Sequence, residues 1–208
     1  MKYYILVFAI ITICLSCSDD EASLQPSDNY TPMAIGNYWV YQTNITKLDG
    51  TAVSSAIDSV VISGDSIIDG NNYYVFEGTN FISNDWRILA LRRVDGDNLV
   101  DPEGLTHFSS TNFSDTLYRY RIEPDNDKWI SVDYQMNNPI DQITVPAGSF
   151  DVLDFRGVVQ TNISTPYPLP KFAHNYRASD VGLVLRNTFA FTTGYIVEER
   201  LMRYSIKN

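Results

Sequence analysis

The sequence predicts an all-β domain, an antiparallel meander of about ten strands that forms a barrel or a curved half-barrel. Apolar and polar residues alternate with a two-residue period in several short stretches, which are rich in aromatic and β-branched side chains. Turn-forming sequences recur between these stretches, and no window of helical length shows a 3.6-residue period. A sheet of this size must protect its edge strands. A β-sandwich would also protect them and is the alternative architecture.

The first half of the chain supplies the clearest strand patterns. The stretch 37–46 alternates Trp39 and Tyr41 with Val40 and Gln42 and predicts the first strand. Tight-turn sequences follow, beginning with Asp49-Gly50 and continuing with Asp69-Gly70-Asn71-Asn72 and Asp95-Gly96-Asp97-Asn98. The strands predicted around these turns cover residues 56–63, 66–68, 73–81, 87–94 and 99–100.

The second half continues the meander with one interruption. Predicted strands cover residues 116–123, 128–135, 140–145, 150–160, 183–191 and 195–207. Pro146-Ala147-Gly148 predicts a turn, because proline presets φ and glycine accepts a positive φ. Thr165-Pro166-Tyr167-Pro168-Leu169-Pro170 cannot donate ladder hydrogen bonds at its prolines. It therefore predicts a loop or an edge crossing.

The first residues of the chain predict export. Lys2 precedes an apolar run from Tyr3 to Leu15, which is shorter than the roughly 18 residues that a spanning helix needs. Ser16 and Cys17 end the run, and the segment resembles a bacterial lipoprotein signal, in which a small residue precedes a cysteine that receives a diacylglycerol. This resemblance implies that residues 1–16 are a signal peptide and that Cys17 is lipidated. An ordinary soluble signal peptide with an incidental cysteine is the alternative.

Acidic residues follow the predicted lipid acceptor. Ser18, Asp19, Asp20 and Glu21 resemble the acidic export tag of surface-displayed lipoproteins of the Bacteroidota. The resemblance implies a lipid-anchored protein of the outer membrane that faces the cell exterior; without it, these residues are a solvated linker. Residues 17–31 are too polar to pack and predict a lipidated acidic tether. The single antiparallel β domain is predicted to cover residues 32–208.

The charge and the cysteine count restrict the partners. The net charge of −10 argues against nucleic acid and anionic headgroups, because both need a basic patch. Cys14 leaves with the signal peptide and Cys17 carries lipid, so the mature domain is predicted to have no disulfide and to depend on its core. The expected partners are the membrane, through the lipid on Cys17, and an unidentified ligand or protein.

The sequence supplies no candidate catalytic residue, cofactor site or metal site. Gly64-Asp65-Ser66-Ile67 is similar to the nucleophile block of certain esterases, but that block belongs to an α/β fold and needs a later Asp-x-x-His. Here His174 follows Lys171-Phe172-Ala173 instead. Two histidines and no free cysteine are too few soft ligands for zinc. Glu198 and Glu199 are neighbours on a strand and point to opposite faces, which excludes an acid and base pair.

Three Asp-Ser/Thr-apolar triplets are similar to acceptors for O-glycosylation in exported Bacteroidota proteins. Their acceptor residues are Ser59, Ser66 and Thr116. Alternating strands also produce such triplets by chance. Tyrosine and tryptophan are abundant in or beside the predicted strands, and we expect most of them to fill the core rather than to bind a ligand.

Three short segments resemble an uncharacterised all-β family of secreted bacterial proteins. They run from Pro32 to Tyr41, from Thr144 to Phe150 and from Asp180 to Val184. The resemblance implies an architecture, such as the curved half-barrel of periplasmic lipoprotein carriers, and carries over no catalytic residue. The favoured function is a noncatalytic surface lipoprotein that binds a ligand or partner in the cell envelope. The alternatives are an envelope carrier or assembly factor that holds acyl chains in a half-barrel, and a hydrolase with a dispersed site.

Overall fold

The structure is a computed structural model that describes residues 28–79, 85–125, 127–164, 168–190 and 194–207. The described residues form strands and turns and contain no helix, which confirms the all-β prediction. In this part of the chain there is accordingly no helix long and apolar enough to cross a membrane. Cys17 and the acidic residues 18–21 lie outside the described residues.

The described part of the chain forms twelve strands. In chain order they are β1 (Tyr38–Lys47), β2 (Ala52–Ile68), β3 (Asn71–Gly78), β4 (Arg87–Asp95), β5 (Asn98–Val100), β6 (Thr106–Ser109), β7 (Tyr118–Asp125), β8 (Lys128–Val145), β9 (Gly148–Thr161), β10 (Phe172–Ala178), β11 (Gly182–Ala190) and β12 (Tyr195–Ser205).

All twelve strands belong to one antiparallel sheet, in the order β6-β5-β4-β3-β2-β1-β12-β11-β10-β9-β8-β7. The first strand lies in the middle, because it pairs with both β2 and β12. The first six strands therefore extend from β1 in one direction and the last six extend in the other. The edge strands are β6 and β7, which are neighbours in the sequence.

Bulges bend this sheet until its two ends approach each other. Register shifts interrupt most of the strand pairs, including β1 with β2 between Ile45 and Thr46 and β3 with β4 between Phe76 and Glu77. On the far side, the backbone N–H of Ser109 in β6 donates to Sδ of Met136 in β8 at 3.5 Å. The sheet thus forms a nearly closed barrel, as predicted, rather than a sandwich.

Two pairs of predicted strands are each a single strand in the structure, and two observed strands are not among those predicted. Residues 56–63 and 66–68 belong to the single strand β2, which passes through a bulge between Ile62 and Gly64. Residues 128–135 and 140–145 are likewise joined in β8, whose register with β9 shifts between Asn137 and Asp141. Proline at position 139 lacks an N–H, so a break in the ladder is expected there. Strands β6 and β10 are not among the predicted strands: β6 has only four residues, and the β10 sequence FAHNYRA shows no clean alternation.

The seam where the barrel closes is filled by a hydrophobic cluster. Its buried members are Tyr30, Leu99, Phe108, Met136, Leu153 and Phe155. Tyr30 belongs to residues 28–36, here called the N-terminal segment, and its ring lies 5.8 Å from that of Phe108. The backbone N–H of Asp180 also donates to the carbonyl oxygen of Asn29 at 2.8 Å. Packing against the barrel therefore begins before residue 32, within the stretch that the sequence assigns to the tether.

Candidate functional site

The barrel interior contains a cavity of about 350 Å³, here called the apolar chamber. Trp39 of β1 and Phe76 of β3 stack in its wall, with ring centroids 6.1 Å apart and an angle of 20° between the planes. Nε1 of Trp39 donates to the carbonyl oxygen of Val181 at 2.6 Å, which fixes the indole. The other apolar side chains of the lining are Pro32, Met33, Val60, Leu89, Ala90, Leu99 and Leu183.

Two carboxylates also line the apolar chamber, and both have partners. Asp58 is buried and accepts a hydrogen bond of 2.5 Å from the hydroxyl of Thr43. Glu199 pairs with Arg186, which lies directly opposite on β11. Glu198, its neighbour, pairs instead with Arg200 at 3.2 Å. Of these two glutamates, Glu199 lines the chamber and Glu198 does not.

A second cavity of about 240 Å³ adjoins the first and shares Arg92, Arg177, Leu183 and Arg186 with it. We call it the arginine chamber. Among the described residues, its lining contains no aspartate or glutamate. Besides the shared residues, the lining comprises His107, Tyr118, Tyr134, Phe155, Asn175, Asn187 and Thr188. Burial raises the pKa of both tyrosines, so their hydroxyl groups remain donors at neutral pH.

Arg177 of β10 is the most enclosed of the three arginines. One guanidinium nitrogen, Nη1, donates to the carbonyl oxygen of Tyr30 at 3.4 Å, and Cζ lies 5.6 Å from the centre of the Phe108 ring. Its Nε is buried and has no hydrogen-bond partner among the described residues. Burial, together with the positive charges of Arg92 and Arg186, lowers the pKa of Arg177 to about 10. The side chain is still a cation at neutral pH.

Arg186 and Arg92 differ in how their charges are balanced. The carboxylate of Glu199 raises the pKa of Arg186, and 46% of the Arg186 side chain is exposed. Burial lowers the pKa of Arg92, with partial compensation from Asp101 and Glu103. Among the residues that the structure describes, neither Arg92 nor Arg177 has a carboxylate within ion-pair distance. Within the described part of the chain, two cations of the chamber therefore lack a direct counter-ion.

His107 of β6 lies at the side of the arginine chamber, against Asp101 and Tyr118. Nε2 of His107 is 2.7 Å from Oδ2 of Asp101, and its ring centroid is 5.4 Å from that of Tyr118. Burial and the charge of Arg92 lower the pKa of His107, so the imidazole is neutral at pH 7. Burial alone would raise the pKa of Asp101, but hydrogen bonds from His107 and the Leu105 amide lower it overall. The ionised carboxylate only accepts, so Nε2 of His107 carries the proton.

The other histidine does not line either chamber. Nδ1 of His174 is 2.8 Å from Oδ2 of the buried Asp154, and its ring stacks on Tyr176 at 5.1 Å. Ser66 pairs with Tyr73 near the end of β2, and three strands separate β2 from the strand of His174 in the sheet. The structure therefore does not bring Ser66 and His174 together. The described residues also contain no group of three or more metal-ligating side chains.

The three proposed glycosylation acceptors lie in different environments. Thr116 is exposed in the loop before β7. Ser59 and Ser66 are half-buried within β2, and the backbone N–H of Ser59 bonds to the hydroxyl of Thr79. Access to a transferase thus favours Thr116 over the other two.

Comparison with known proteins gives two structural matches. No family model and no curated protein matches the sequence. A protein described as exported, with a YmcC-like fold, from Bacteroides fragilis NCTC 9343 is 13% identical with a TM-score of 0.43. A protein described as a lipoprotein, from Parabacteroides distasonis ATCC 8503, is 13% identical with a TM-score of 0.45. Each match covers 86% of this chain and 99% of the other chain.

Proposed function

We propose that the protein is a noncatalytic, lipid-anchored binding module of the outer membrane that holds a small molecule inside its barrel. The observation that carries this proposal is the pair of adjoining chambers of about 350 and 240 Å³. Ligand pockets combine apolar and aromatic walls with a few convergent polar groups. The stacked Trp39 and Phe76 supply such a wall, and the three arginines supply the polar groups.

The cellular location in this proposal derives from the N-terminal sequence. Ser16 and Cys17 end an apolar run in the manner of a lipoprotein signal, and the acidic residues 18–21 follow. Two or three acyl chains on Cys17 would hold the protein on a bilayer, where a single chain would bind reversibly. The tag-like acids support display on the cell exterior. The ligand would then be a molecule that the cell meets at its surface.

The cavity gives less support to the alternative function, an envelope carrier that holds acyl chains. Such a carrier needs an apolar concavity that accommodates many methylene groups. Here three guanidinium groups line the space, and packing methylenes against them would remove water without supplying an anion. The apolar chamber alone is large enough for an aromatic group or a short chain, but not for several long acyl chains.

Native mass spectrometry of the protein, gently extracted from membranes, tests the proposal. We expect a small molecule that is released on denaturation. Ala90→Phe places a ring in the apolar chamber and should abolish this co-purification, whereas Ala52→Phe, at the exposed start of β2, should not. Equal retention by both variants would place the ligand outside the barrel and contradict the proposal. Stoichiometric phospholipid in the wild type would favour the carrier instead.

A further inference from the structure

The arginine chamber is an unusual concentration of positive charge in an acidic protein. The chain carries a net charge of −10, yet three arginines converge on a space whose described lining residues include no carboxylate. Each of the three lies close enough to the other two for their charges to repel. Like charges held together in a low-dielectric interior are unfavourable unless an opposite charge joins them.

Internal partners neutralise only part of this charge. Glu199 forms an ion pair with Arg186, and Asp101 accepts hydrogen bonds from His107 and from the Leu105 amide. Nε of Arg177 is a buried donor without an acceptor among the described residues. Most buried polar groups in proteins have a hydrogen-bond partner. Arg92 and Arg177 both line the cavity and have no carboxylate at ion-pair distance among the described residues, which indicates a place for an anion.

We propose that the arginine chamber binds the acid group of an amphipathic organic anion, while the anion's hydrophobic body lies in the apolar chamber; this inference rests on the proposed function. The forked guanidinium group matches the oxygens of a carboxylate or a phosphate. Arg92, Arg177 and Arg186 line both chambers, so they mark the junction between head and body. Trp39 and Phe76 offer the body an aromatic surface.

The test uses two dyes that share one skeleton. Anilinonaphthalene sulfonate carries an anionic group, and phenylnaphthylamine lacks it. Both are titrated by fluorescence into the chain from Ser18 onward, which contains every described residue and no lipid. We expect the sulfonate to bind at one saturable site and to bind more tightly than the neutral dye.

Arginine variants then locate the anionic group. Arg177→Met should weaken binding of the sulfonate about 30-fold, the effect of losing a charge-assisted hydrogen bond, and should change binding of the neutral dye little. Arg203→Met, at an exposed position outside both chambers, is the matched control. If Arg177→Met does not fold, Arg92→Met replaces it, because within the described part of the chain Arg92 donates a hydrogen bond only to the adjacent carbonyl oxygen of Leu91, at 2.8 Å.

Displacement of the sulfonate identifies the acid. Naphthoate and naphthyl phosphate should both compete, and the stronger of the two tells whether a carboxylate or a phosphate is preferred. Neutral naphthalenemethanol should compete weakly. Equal competition by the alcohol, or unchanged sulfonate binding in both arginine variants, would overturn the inference while leaving a small-molecule site in place. Failure of both dyes to bind, or equal binding by Ala90→Phe, would count against the proposed function as well.

Discussion

At the scale of single residues, the interior arginines are costly, because each guanidinium loses hydration that protein groups must replace. Arg186 recovers a carboxylate from Glu199. Arg177 donates one long hydrogen bond to the carbonyl oxygen of Tyr30 and lies over the face of Phe108, and one of its donors has no partner among the described residues. Retaining such charges at a cost in stability is expected if they serve the binding site proposed above. The sequence did not reveal them, because an arginine in a strand ordinarily indicates a solvent-facing position.

His107 makes a pH dependence of stability measurable. Its folded pKa lies below the ordinary value, so the unfolded chain binds this proton more readily than the folded chain. Folding stability is therefore lost as the pH falls through the unfolded pKa of about 6.5. We expect wild type to lose more stability than His107→Gln between pH 7.5 and pH 5, measured by urea unfolding.

The neighbours of His107 supply the control for that measurement. Arg92 is the second cause of the lowered pKa after burial, Asp101 opposes it, and Tyr118 contacts the ring. Removing the positive charge in Arg92→Met should reduce the loss of stability on acidification. A pH profile of His107→Gln that coincides with wild type would show that His107 is not responsible.

At the scale of strands, alternation predicts strand existence better than it predicts which face a residue occupies. The predicted bounds of β1 and β12 lie close to the observed ones. The short strand β6 and strand β10 were missed altogether. Register shifts lie next to two of the arginine-bearing strands, between Phe76 and Glu77 in the pair β3 and β4 and between Tyr176 and Arg177 in the pair β10 and β11. Each bulge adds one residue to a strand and so reverses which of the following side chains point inward. The inward position of Arg92 or Arg177 could therefore not be deduced from sequence spacing.

The pairing of β2 with β3 depends on Gly78. A Cβ at this position would lie 1.9 Å from the carbonyl oxygen of Ser59, a backbone atom that cannot move without opening the pair. We expect Gly78→Ala to lower the free energy of unfolding by about 2 kcal/mol or more. Gly64→Ala is the matched control, because a Cβ there meets nothing within 4 Å. Urea unfolding of the two variants measures the difference, and equal stabilities would contradict the close approach.

At the scale of the whole molecule, the N-terminal segment connects the predicted anchor to the cavity. Tyr30 packs in the closing seam, while Pro32 and Met33 line the apolar chamber. The twelve peptide steps from Cys17 to Asn29 span at most roughly 40 Å when extended. A lipid on Cys17 would therefore keep the barrel close to the bilayer. The anchor prediction rests on a local sequence signal, whereas the chambers arise only when β1 to β5 curve towards β10, β11 and β12.

Lipidation is tested by replacing the proposed acceptor. Cys17→Ser should abolish labelling by a fatty acid and release the protein from membranes, because no other thiol remains after cleavage before residue 17. Metabolic labelling followed by membrane fractionation measures both effects. Cys14→Ser is the control and should leave labelling intact. Loss of label in Cys14→Ser would show that Cys14 is the lipid acceptor and that cleavage occurs before it. Persistent label in Cys17→Ser would contradict the proposed anchor at Cys17.

Surface display is tested separately by neutralising the acids behind the anchor. Replacing Asp19, Asp20 and Glu21 by Asn, Asn and Gln keeps side-chain size and removes three negative charges, so a charge-read export tag should be lost while lipidation at Cys17 continues. The variant should remain in the membrane fraction but become resistant to protease added to intact cells. Permeabilised cells supply the control, because protease should then digest wild type and variant alike. Digestion of the variant on intact cells would show that these acids are only a solvated spacer, and the outward orientation would then need another signal.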